Sequence, residues 1–306
     1  MSEKSFVIVS VDCEGLWGLA DTIGKSTSAI NKESLFWAYT NMIEAFAARD
    51  IPATLAFVSL FASDHAYALD GLRAIAHLKS HRDWVQPALA ALDRGDAQGW
   101  LLPLGMHGIK SLGLFEIASH GYTHLPLGSH PDAQSAFQVE ISGVSAWEER
   151  HGLQCQTYVF PRNQVAKFPE RTGDKWLGFR DANMPSSFLG RAINEVNLWR
   201  QSQSFTTTAT PMSIPGGQLM NWRKGFRRLI PERLSVLRWR SILRHARMHP
   251  KRVAHLWFHP HNLITGANQL DLFETLLDEI TALRDCSELE VVTQVDFTKY
   301  RQREHF

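Results

Sequence analysis

The chain has few cysteines, no long apolar run and no excess of one charge. Its three cysteines, Cys13, Cys155 and Cys286, show no CxxC spacing, so neither a disulfide framework nor a cysteine zinc site is indicated. No segment approaches the roughly 18 apolar residues of a membrane span, and the N-terminus, MSEKSFVIVSVD, lacks a cleavable signal pattern. These absences favour a soluble protein of a reducing compartment, and we expect it to be cytoplasmic.

Charge is nearly balanced over the 306 residues, with 32 Lys and Arg against 31 Asp and Glu and a net charge of +1. A general nucleic-acid binder needs a concentrated positive field, so this balance argues against that class. The stretch Arg223–Arg252 is a local exception. Its basic residues could bind a diphosphate or make peripheral contact with an anionic membrane surface, or they could form a solvated helix face.

Buried strands and amphipathic helices alternate from the N-terminus. The β-branched apolar run Phe6–Val11 is typical of a central strand covered on both faces, and helical periodicity follows over 31–49. A second strand over 53–60 and a second helix over 64–78 repeat the pattern. This alternation predicts an α/β fold with parallel strands.

Glycine-rich residues 80–114 interrupt the alternation and predict an irregular insertion, which is either a lid or substrate wall, or an excursion without a role. A polar stretch of about 185–230 predicts a long surface connection. The absence of repeats and linkers predicts a single domain, 1–306. The remaining pattern predicts strands over 157–160, 178–181, 253–258 and 288–293, and helices over 132–149, 170–176, 231–248 and 269–284.

The stretch Phe115–His130 carries two histidines, His120 and His124, at a spacing that lets both imidazoles grip one metal ion. A divalent cation needs a third protein ligand, usually a carboxylate where a position is kept for water. Asp12 and Glu14, after the first strand, are the candidates. The alternative is an ordinary polar loop, because the chain holds 14 histidines and a pair four apart is common.

Polar side chains follow other predicted strands too: Arg162 with Asn163, and His259 with His261. In a parallel βα architecture the C-terminal strand ends open on one face, so these side chains are expected to meet those near residue 12. Each one also has a structural explanation. Asp12 could cap a loop, Arg162 could pair with a surface acid, and His259 could be a buried histidine bonded to the backbone.

The segments VDCEG, SHGYTH, VFPRN, GFRDAN and LWFHPHN, in this order, resemble the polysaccharide deacetylase family, the NodB-homology carbohydrate esterases. The first segment and the following Trp17 and Gly18 are similar to a bacterial branch with an Asp-x-Glu motif. The resemblance implies a distorted (β/α) barrel with fewer than eight βα units. It also implies one divalent metal ion, commonly zinc.

Carried over residue by residue, the resemblance implies that Asp12 is the catalytic base and that Glu14, His120 and His124 are the metal ligands. Because Cys13 separates the two acids, base and ligand could exchange roles. Arg162 would orient the base. His259 would be the general acid, with His261 as its competitor.

The expected reaction is metal-dependent removal of an N-acetyl group from a sugar. Its setting would be bacterial surface-polysaccharide biosynthesis, O-antigen or capsule, acting on a lipid-linked or nucleotide-linked precursor. The alternatives are a catalytically silent barrel that binds a glycan or an assembly partner, and a deformylase of a formylated amino sugar. The residues considered for substrate binding are Trp17, Asn163, Asp181, Asn183 and His261.

Overall fold

The structure, a computed structural model, describes residues 4–23, 27–128, 130–169, 175–182, 197, 201–205, 210–286 and 288–303. Their strands form one curled sheet. In chain order the strands are β1 (Phe6–Cys13), β2 (Ala53–Phe57), β3 (Phe115–Ser119), β4 (Thr157–Val159), β5 (Gly178–Arg180), β6 (Gln203–Ser204), β7 (Met212–Ile214), β8 (Gln218–Leu219), β9 (Arg252–Phe258) and β10 (Glu290–Val292).

The strands are hydrogen-bonded in the order β6-β9-β1-β2-β3-β4-β5-β7, while β10 also pairs with β1 and β8 with β9. Every pair is parallel except β6 with β9. Strand β7 ends the order on one side, and residues 215–217 lead from it into β8, which pairs with β9 near the other side. The sheet is therefore the distorted barrel that was predicted.

Helices cover the outside of the sheet. They are α1 (Lys32–Ala47), α2 (His65–Ile75), α3 (Arg82–Asp93), α4 (Met106–Ser111), α5 (Ala133–His151), α6 (Glu232–Met248), α7 (Pro260–Thr265), α8 (Gln269–Asp285) and α9 (Gln294–Arg303). Asn31 caps α1 through a reciprocal pair of hydrogen bonds with Ser34, which explains where that helix begins. None of the described helices is long and apolar enough to span a bilayer.

Strand β1 shows how the sequence places chemistry inside the barrel. Side chains alternate along a strand, so Val7 and Val9 join the large core under the helices, whereas Phe6 and Ile8 join a smaller apolar cluster on the opposite face. Asp12 continues the inner row near the C-terminal end of the strand. An apolar plug thus fills one end of the barrel, and polar groups lie at the other.

One interpretation of an irregular segment needs correction. Residues 185–230 do not form only a surface connection, because β6, β7 and β8 lie there. These strands are two or three residues long, too short for a visible alternation. Residues 183–196, and most of the helix predicted over 170–176, lie outside the described residues.

The insertion 80–114 contains α3 and α4 and is fastened to the loop that follows β1. The carbonyl of Gly99 accepts a hydrogen bond from the Leu16 amide at 2.9 Å, and that of Trp100 accepts one from the Trp17 indole at 2.9 Å. Leu102 also donates its amide to the Phe61 carbonyl at 2.8 Å. The contacts of Gly99 and Trp100 make the insertion a support for the loop after β1, and that of Leu102 joins it to the segment after β2.

Candidate functional site

The register of the parallel strands brings their C-terminal ends to one level. Cys13 is paired with Phe57, which is paired with Ser119, so the following residues Glu14 and His120 emerge side by side. Val11 is paired with Phe258, which places Asp12 beside His259. Residues more than 240 positions apart in the chain therefore share one mouth.

Glu14, His120 and His124 converge on a point. Glu14 Oε2 lies 2.7 Å from His124 Nε2 and 3.2 Å from His120 Nε2. All three side chains are buried. One ligand atom from each lies within 4.8 Å of the others, a spacing that could hold a metal ion.

The hydrogen-bond partners of the two imidazoles support a cation among these atoms. The Val159 carbonyl can only accept, so His120 Nδ1 carries the proton of their 2.7 Å hydrogen bond, and Nε2 of a neutral ring turns a lone pair to Glu14. His124 Nδ1 has no hydrogen-bond partner among the described residues, and His124 Nε2 faces Glu14 Oε2 at 2.7 Å. Lone pairs that face one another in a buried site repel unless a positive charge lies between them, and a divalent cation fits this donor set.

The electrostatics also favour ligand forms of the side chains. Burial opposes ionisation of Glu14, but the nearby imidazoles of His259 and His124 outweigh it and hold the pKa of the carboxyl well below its usual range. Burial lowers the pKa of His124, although Glu14 partly opposes this shift. An ionised carboxylate and a neutral imidazole are the forms that bind metals.

The loop between the two histidines is held from α5. Glu140 is fully buried, and its Oε2 accepts the backbone amides of Tyr122 at 2.8 Å and Thr123 at 3.0 Å. His124 itself has a left-handed φ of 61°, a conformation that a non-glycine residue adopts at some cost in free energy. The pinned loop compensates this strain and directs the imidazole towards Glu14.

Gly18 gives the Glu14 carboxylate its space. A Cβ built on Gly18 would lie 1.9 Å from Glu14 Oε1, far inside van der Waals contact. The glycine that follows Trp17 is therefore explained sterically, because a side chain at this position would displace the Glu14 carboxylate.

Asp12 is held by Arg180, the last residue of β5. Arg180 Nη1 donates to Asp12 Oδ1 and Nη2 donates to Oδ2, each at 2.6 Å, in a buried bidentate pair. Burial opposes ionisation of Asp12, but the charge of Arg180 and its hydrogen bonds to the carboxylate outweigh burial and lower the pKa of the carboxyl. Asp12 Oδ2 also lies 3.9 Å from His120 Nε2, next to the three converging side chains.

The arginine on Asp12 is therefore Arg180 and not Arg162, which was expected there. Arg162 pairs with Asp21 and lies with its guanidinium 5.1 Å from the centre of the Trp84 ring. It has a left-handed φ of 55° just after β4 and lines the rim of the site. A side chain in the loop after a strand, such as that of Arg162, can point in any direction. Within β5 side chains alternate between the two faces, and Arg180 is on the inner one.

His259 lies at the mouth, and His261 lies deeper. His259 Nε2 is 3.4 Å from Glu14 Oε1 and 3.8 Å from Asp12 Oδ2, and its side chain is 21% exposed. His261 is buried, and burial with the charge of His259 lowers its pKa to about 3. Glu14, His259 and His261 form a second group whose spacing could hold a metal ion.

A cavity of about 190 Å³ opens over these groups. Asp12, Glu14, His120, His124, Arg162 and His259 are among its lining residues. A larger cavity of about 780 Å³ at the opposite end of the sheet is lined by charged residues that pair with each other, such as Lys4 with Glu290 and Arg247 with Glu288. The side chains that could hold a metal ion line the small cavity.

No protein-family model matches the sequence, and no curated protein matches it either. Among solved structures, a protein of Mycobacterium smegmatis described as a polysaccharide deacetylase is similar with a TM-score of 0.56 and 14% identity, over 100% of this chain and 93% of that chain. The chain has the fold of the NodB-homology polysaccharide deacetylases.

A 4-alpha-glucanotransferase from Thermococcus litoralis is similar as well, with a TM-score of 0.50 and 11% identity over 98% of this chain and 40% of that chain. Family 4 carbohydrate esterase from Streptomyces lividans, solved with acetate, has a TM-score of 0.43 and 11% identity over 92% and 90% of the two chains. Since a glucanotransferase is also similar to this chain, the fold does not determine the reaction, which has to be argued from the site.

The residues considered for substrate binding occupy different places in this deacetylase fold. Trp17 is fully buried against Trp100, with ring centroids 5.3 Å apart, so a substrate contact does not fit it. Asn163 lines the cavity and also accepts a hydrogen bond from Arg180 at 3.0 Å. Asp181 accepts the Ser213 hydroxyl at 2.8 Å, and Asn183 lies outside the described residues.

Sequence reasoning missed Arg180 although it read GFRD as a strand. The signal was available in principle, because an arginine inside a short apolar strand requires a buried acid. Alternation alone leaves open which face of β5 turns inwards, so the sequence pointed to Asp181 as readily as to Arg180.

Proposed function

We propose that the chain is a divalent-metal-dependent hydrolase that removes the acetyl group from an N-acetylated sugar. The observation that carries this proposal is the convergence of Glu14, His120 and His124 beside an Asp12 carboxylate that a buried arginine holds ionised. The position of His259, whose Nε2 lies 3.4 Å from Glu14 Oε1, supports a role for it in the same reaction.

A divalent cation held by Glu14, His120 and His124 would supply Lewis-acid chemistry that polarises an acyl carbonyl and makes water more acidic. Asp12 accepts the proton of the attacking water as the new C–O bond forms. Arg180 keeps the Asp12 carboxylate in place on both oxygens. Because burial and Arg180 fix its orientation, Asp12 takes the proton without reorganisation of the site.

His259 is the proposed general acid. Its Nδ1 lies 3.3 Å from Asn262 Oδ1, and its Nε2 faces the cavity between the two carboxylates. As the C–N bond breaks, Nε2 donates a proton to the departing nitrogen, and acetate and a free amino sugar leave. An amine is a poor leaving group without that proton, so an acid separate from the base supports an amide substrate over an ester.

The size of the cavity supports an acyl group as the part that enters it. Its volume of about 190 Å³ is below the roughly 300–1,000 Å³ of pockets that enclose a drug-sized ligand. The remainder of the glycan then lies across the mouth, near Arg162 and Asn163. A lipid-linked or nucleotide-linked precursor of a surface polysaccharide is the proposed source of the sugar, on the resemblance of the motifs alone.

The test begins with the metal content of the purified protein. We expect about one equivalent of zinc or a similar ion, lost in His124→Ala and kept in His261→Ala, because the first triad is the proposed site. Loss in His261→Ala alone would assign the metal to the second group instead, and two equivalents would indicate that both groups hold a metal ion.

Acyl release from a panel of acetylated and formylated sugars follows with the same preparation. Asp12→Asn should keep its metal and lose about 10²- to 10⁴-fold in kcat, as expected when a general base is removed. Formate in place of acetate would identify a deformylase. Metal binding without any release from the panel, together with glycan binding that Asp12→Asn does not change, would indicate a silent barrel.

A further inference from the structure

We infer that Ser10 and His255 are positioning residues that orient Asp12 through Arg180. They lie one layer below Asp12 inside the barrel, on β1 and β9. The inference rests on the proposed role of Asp12 as the base, but the hydrogen-bond chain itself can be measured without a substrate.

The four N–H groups on the two Nη atoms of Arg180 all have acceptors. The inner pair binds the two oxygens of Asp12 at 2.6 Å each. The outer pair binds Ser10 Oγ at 3.2 Å on one side and Asn163 Oδ1 at 3.0 Å on the other. Ser10 and Asn163 therefore fix the rotation of the guanidinium within its own plane.

The Trp257 ring limits motion out of that plane, since its centre lies 4.6 Å from the guanidinium carbon. The planar guanidinium of Arg180 thus has hydrogen-bond partners on two edges and an aromatic ring on one face. Its two inner N–H groups are therefore directed at one position of the Asp12 carboxylate. The orientation of Asp12 thus depends on the groups around Arg180, of which Ser10 is buried beneath the cavity and does not line it.

The direction of each hydrogen bond below Arg180 follows from its neighbours. The Pro215 carbonyl can only accept, so His255 Nδ1 donates to it, at 2.6 Å. Nε2 of the neutral ring is then an acceptor, and the Ser10 hydroxyl donates a hydrogen bond to it at 2.8 Å. This leaves the lone pairs of Ser10 Oγ for Arg180, which can only donate.

Burial and the nearby charge of Arg180 keep His255 in the form that this arrangement requires. Ser10 and His255 are both buried, and burial lowers the pKa of His255 to about 3. Pro215 belongs to the 215–217 segment that joins β7 to β8. A Cβ on Gly217 would lie 2.2 Å from the His255 carbonyl oxygen, so this turn packs directly on β9. The closing turn of the barrel is thereby connected to the base.

The first test compares Ser10→Ala with Ser63→Ala in the metal-loaded full chain. Ser63 is an equally buried serine whose hydroxyl donates to the Ser59 carbonyl at 2.7 Å, away from the cavity lining. Ser10→Ala should lower kcat about 10- to 100-fold, the usual effect of removing an outer hydrogen-bond partner of an active-site group. KM should change little, because the ground-state contacts of the substrate remain.

A double variant tests whether His255 acts through Ser10. His255→Phe alone should lower kcat about as much as Ser10→Ala, and the double variant should lower it little further, because both belong to one chain. The inference would be overturned if the losses in kcat of the two single variants multiplied in the double variant. A kcat for Ser10→Ala within about twofold of wild type would also overturn it.

A spectroscopic test does not depend on activity. A long-range proton–nitrogen NMR correlation spectrum at neutral pH should show His255 as the neutral tautomer protonated on Nδ1. A crystal structure of Ser10→Ala should show the Arg180 guanidinium rotated away from its symmetric contact with Asp12. The opposite tautomer, or an unmoved guanidinium, would refute the positioning role even if no substrate were found. A correct tautomer and a rotated guanidinium in an inactive wild type would refute only the proposed function.

Discussion

At the scale of single residues, Gly18 leaves the space that the Glu14 carboxylate occupies. Gly18 lies so close to Glu14 that any side chain would occupy the place of its Oε1. The carboxylate would have to turn away from the two imidazoles, which lie 2.7 and 3.2 Å from its other oxygen.

We predict that Gly18→Ala weakens zinc binding about 10- to 100-fold, the usual effect of disturbing the support of a ligand. Competition with a chelator measures the affinity. Gly108→Ala is the matched control, because a Cβ at Gly108 meets nothing within 4 Å. Equal affinities for both variants would show that Glu14 is not a ligand.

Substitution of Arg180 and substitution of Arg162 should differ clearly in their effect on the free energy of unfolding. Arg180 and Asp12 are a buried pair, so Arg180→Ala leaves a buried carboxylate without its partner and should lower the free energy of unfolding by about 3–5 kcal/mol. Arg162 and Asp21 have side chains 34% and 44% exposed, so Arg162→Ala should lower it by about 0–1 kcal/mol. Urea unfolding measures both values, and a larger loss for Arg162→Ala would contradict the assignment.

These arginines also show where sequence reasoning reached its limit at the residue scale. The strand-end arginine that follows β4 was the natural candidate for Asp12, since the motif VFPRN resembles one in which an arginine orients the base. Within the structure, Arg162 turns to the rim and Arg180 turns inwards. The direction of a side chain after a strand depends on the local φ, which composition and periodicity do not reveal.

At the scale of elements, the loop that carries both histidines is held between helices. Tyr122 lies against Gly71 of α2 and Gly143 of α5, and a Cβ on Gly143 would lie 2.4 Å from the Tyr122 ring. Glu140, one turn before Gly143, accepts the amides of the same loop. The two contacts together fix the loop to α5.

Gly143→Ala should therefore have the opposite sign to the usual helix substitution. Alanine is favoured over glycine inside a helix by about 1 kcal/mol, but here the methyl group overlaps an aromatic ring, and overpacking should lower the free energy of unfolding by about 1–3 kcal/mol. Thermal or urea unfolding measures the change. A stabilised variant would show that Tyr122 has room to move and that the loop is not held by this contact.

At the scale of the whole molecule, buried neutral histidines make the fold sensitive to acid. The pKa of His255 is lowered to about 3 by burial, against about 6.5 in an unfolded chain. Between these values the unfolded chain binds a proton that the folded protein does not, so stability is complete above about pH 6.5 and falls as the pH is lowered towards 3.

For this one histidine, the free energy of unfolding should fall by about 2 kcal/mol between pH 7 and pH 5. His255→Gln cannot take up a proton there, so its loss over the same interval should be smaller by that amount. Urea unfolding at the two pH values, with the same metal present, provides the comparison. Equal losses in the two proteins would show that the pKa of His255 is the same in the folded and unfolded states.

The sequence by itself was sufficient to predict the alternation of strands and helices, the parallel sheet and the shared edge at which Asp12, Glu14, His120 and His259 meet. These follow from periodicity and from the rule that parallel strands end on one face. Only the tertiary structure decided that Arg180 binds Asp12, that Trp17 is buried and that Ser10 and His255 lie beneath the site. The physical reason is that local patterns specify which residues share a face of one strand, whereas contacts across the barrel depend on register and curl, which arise only when distant strands pair.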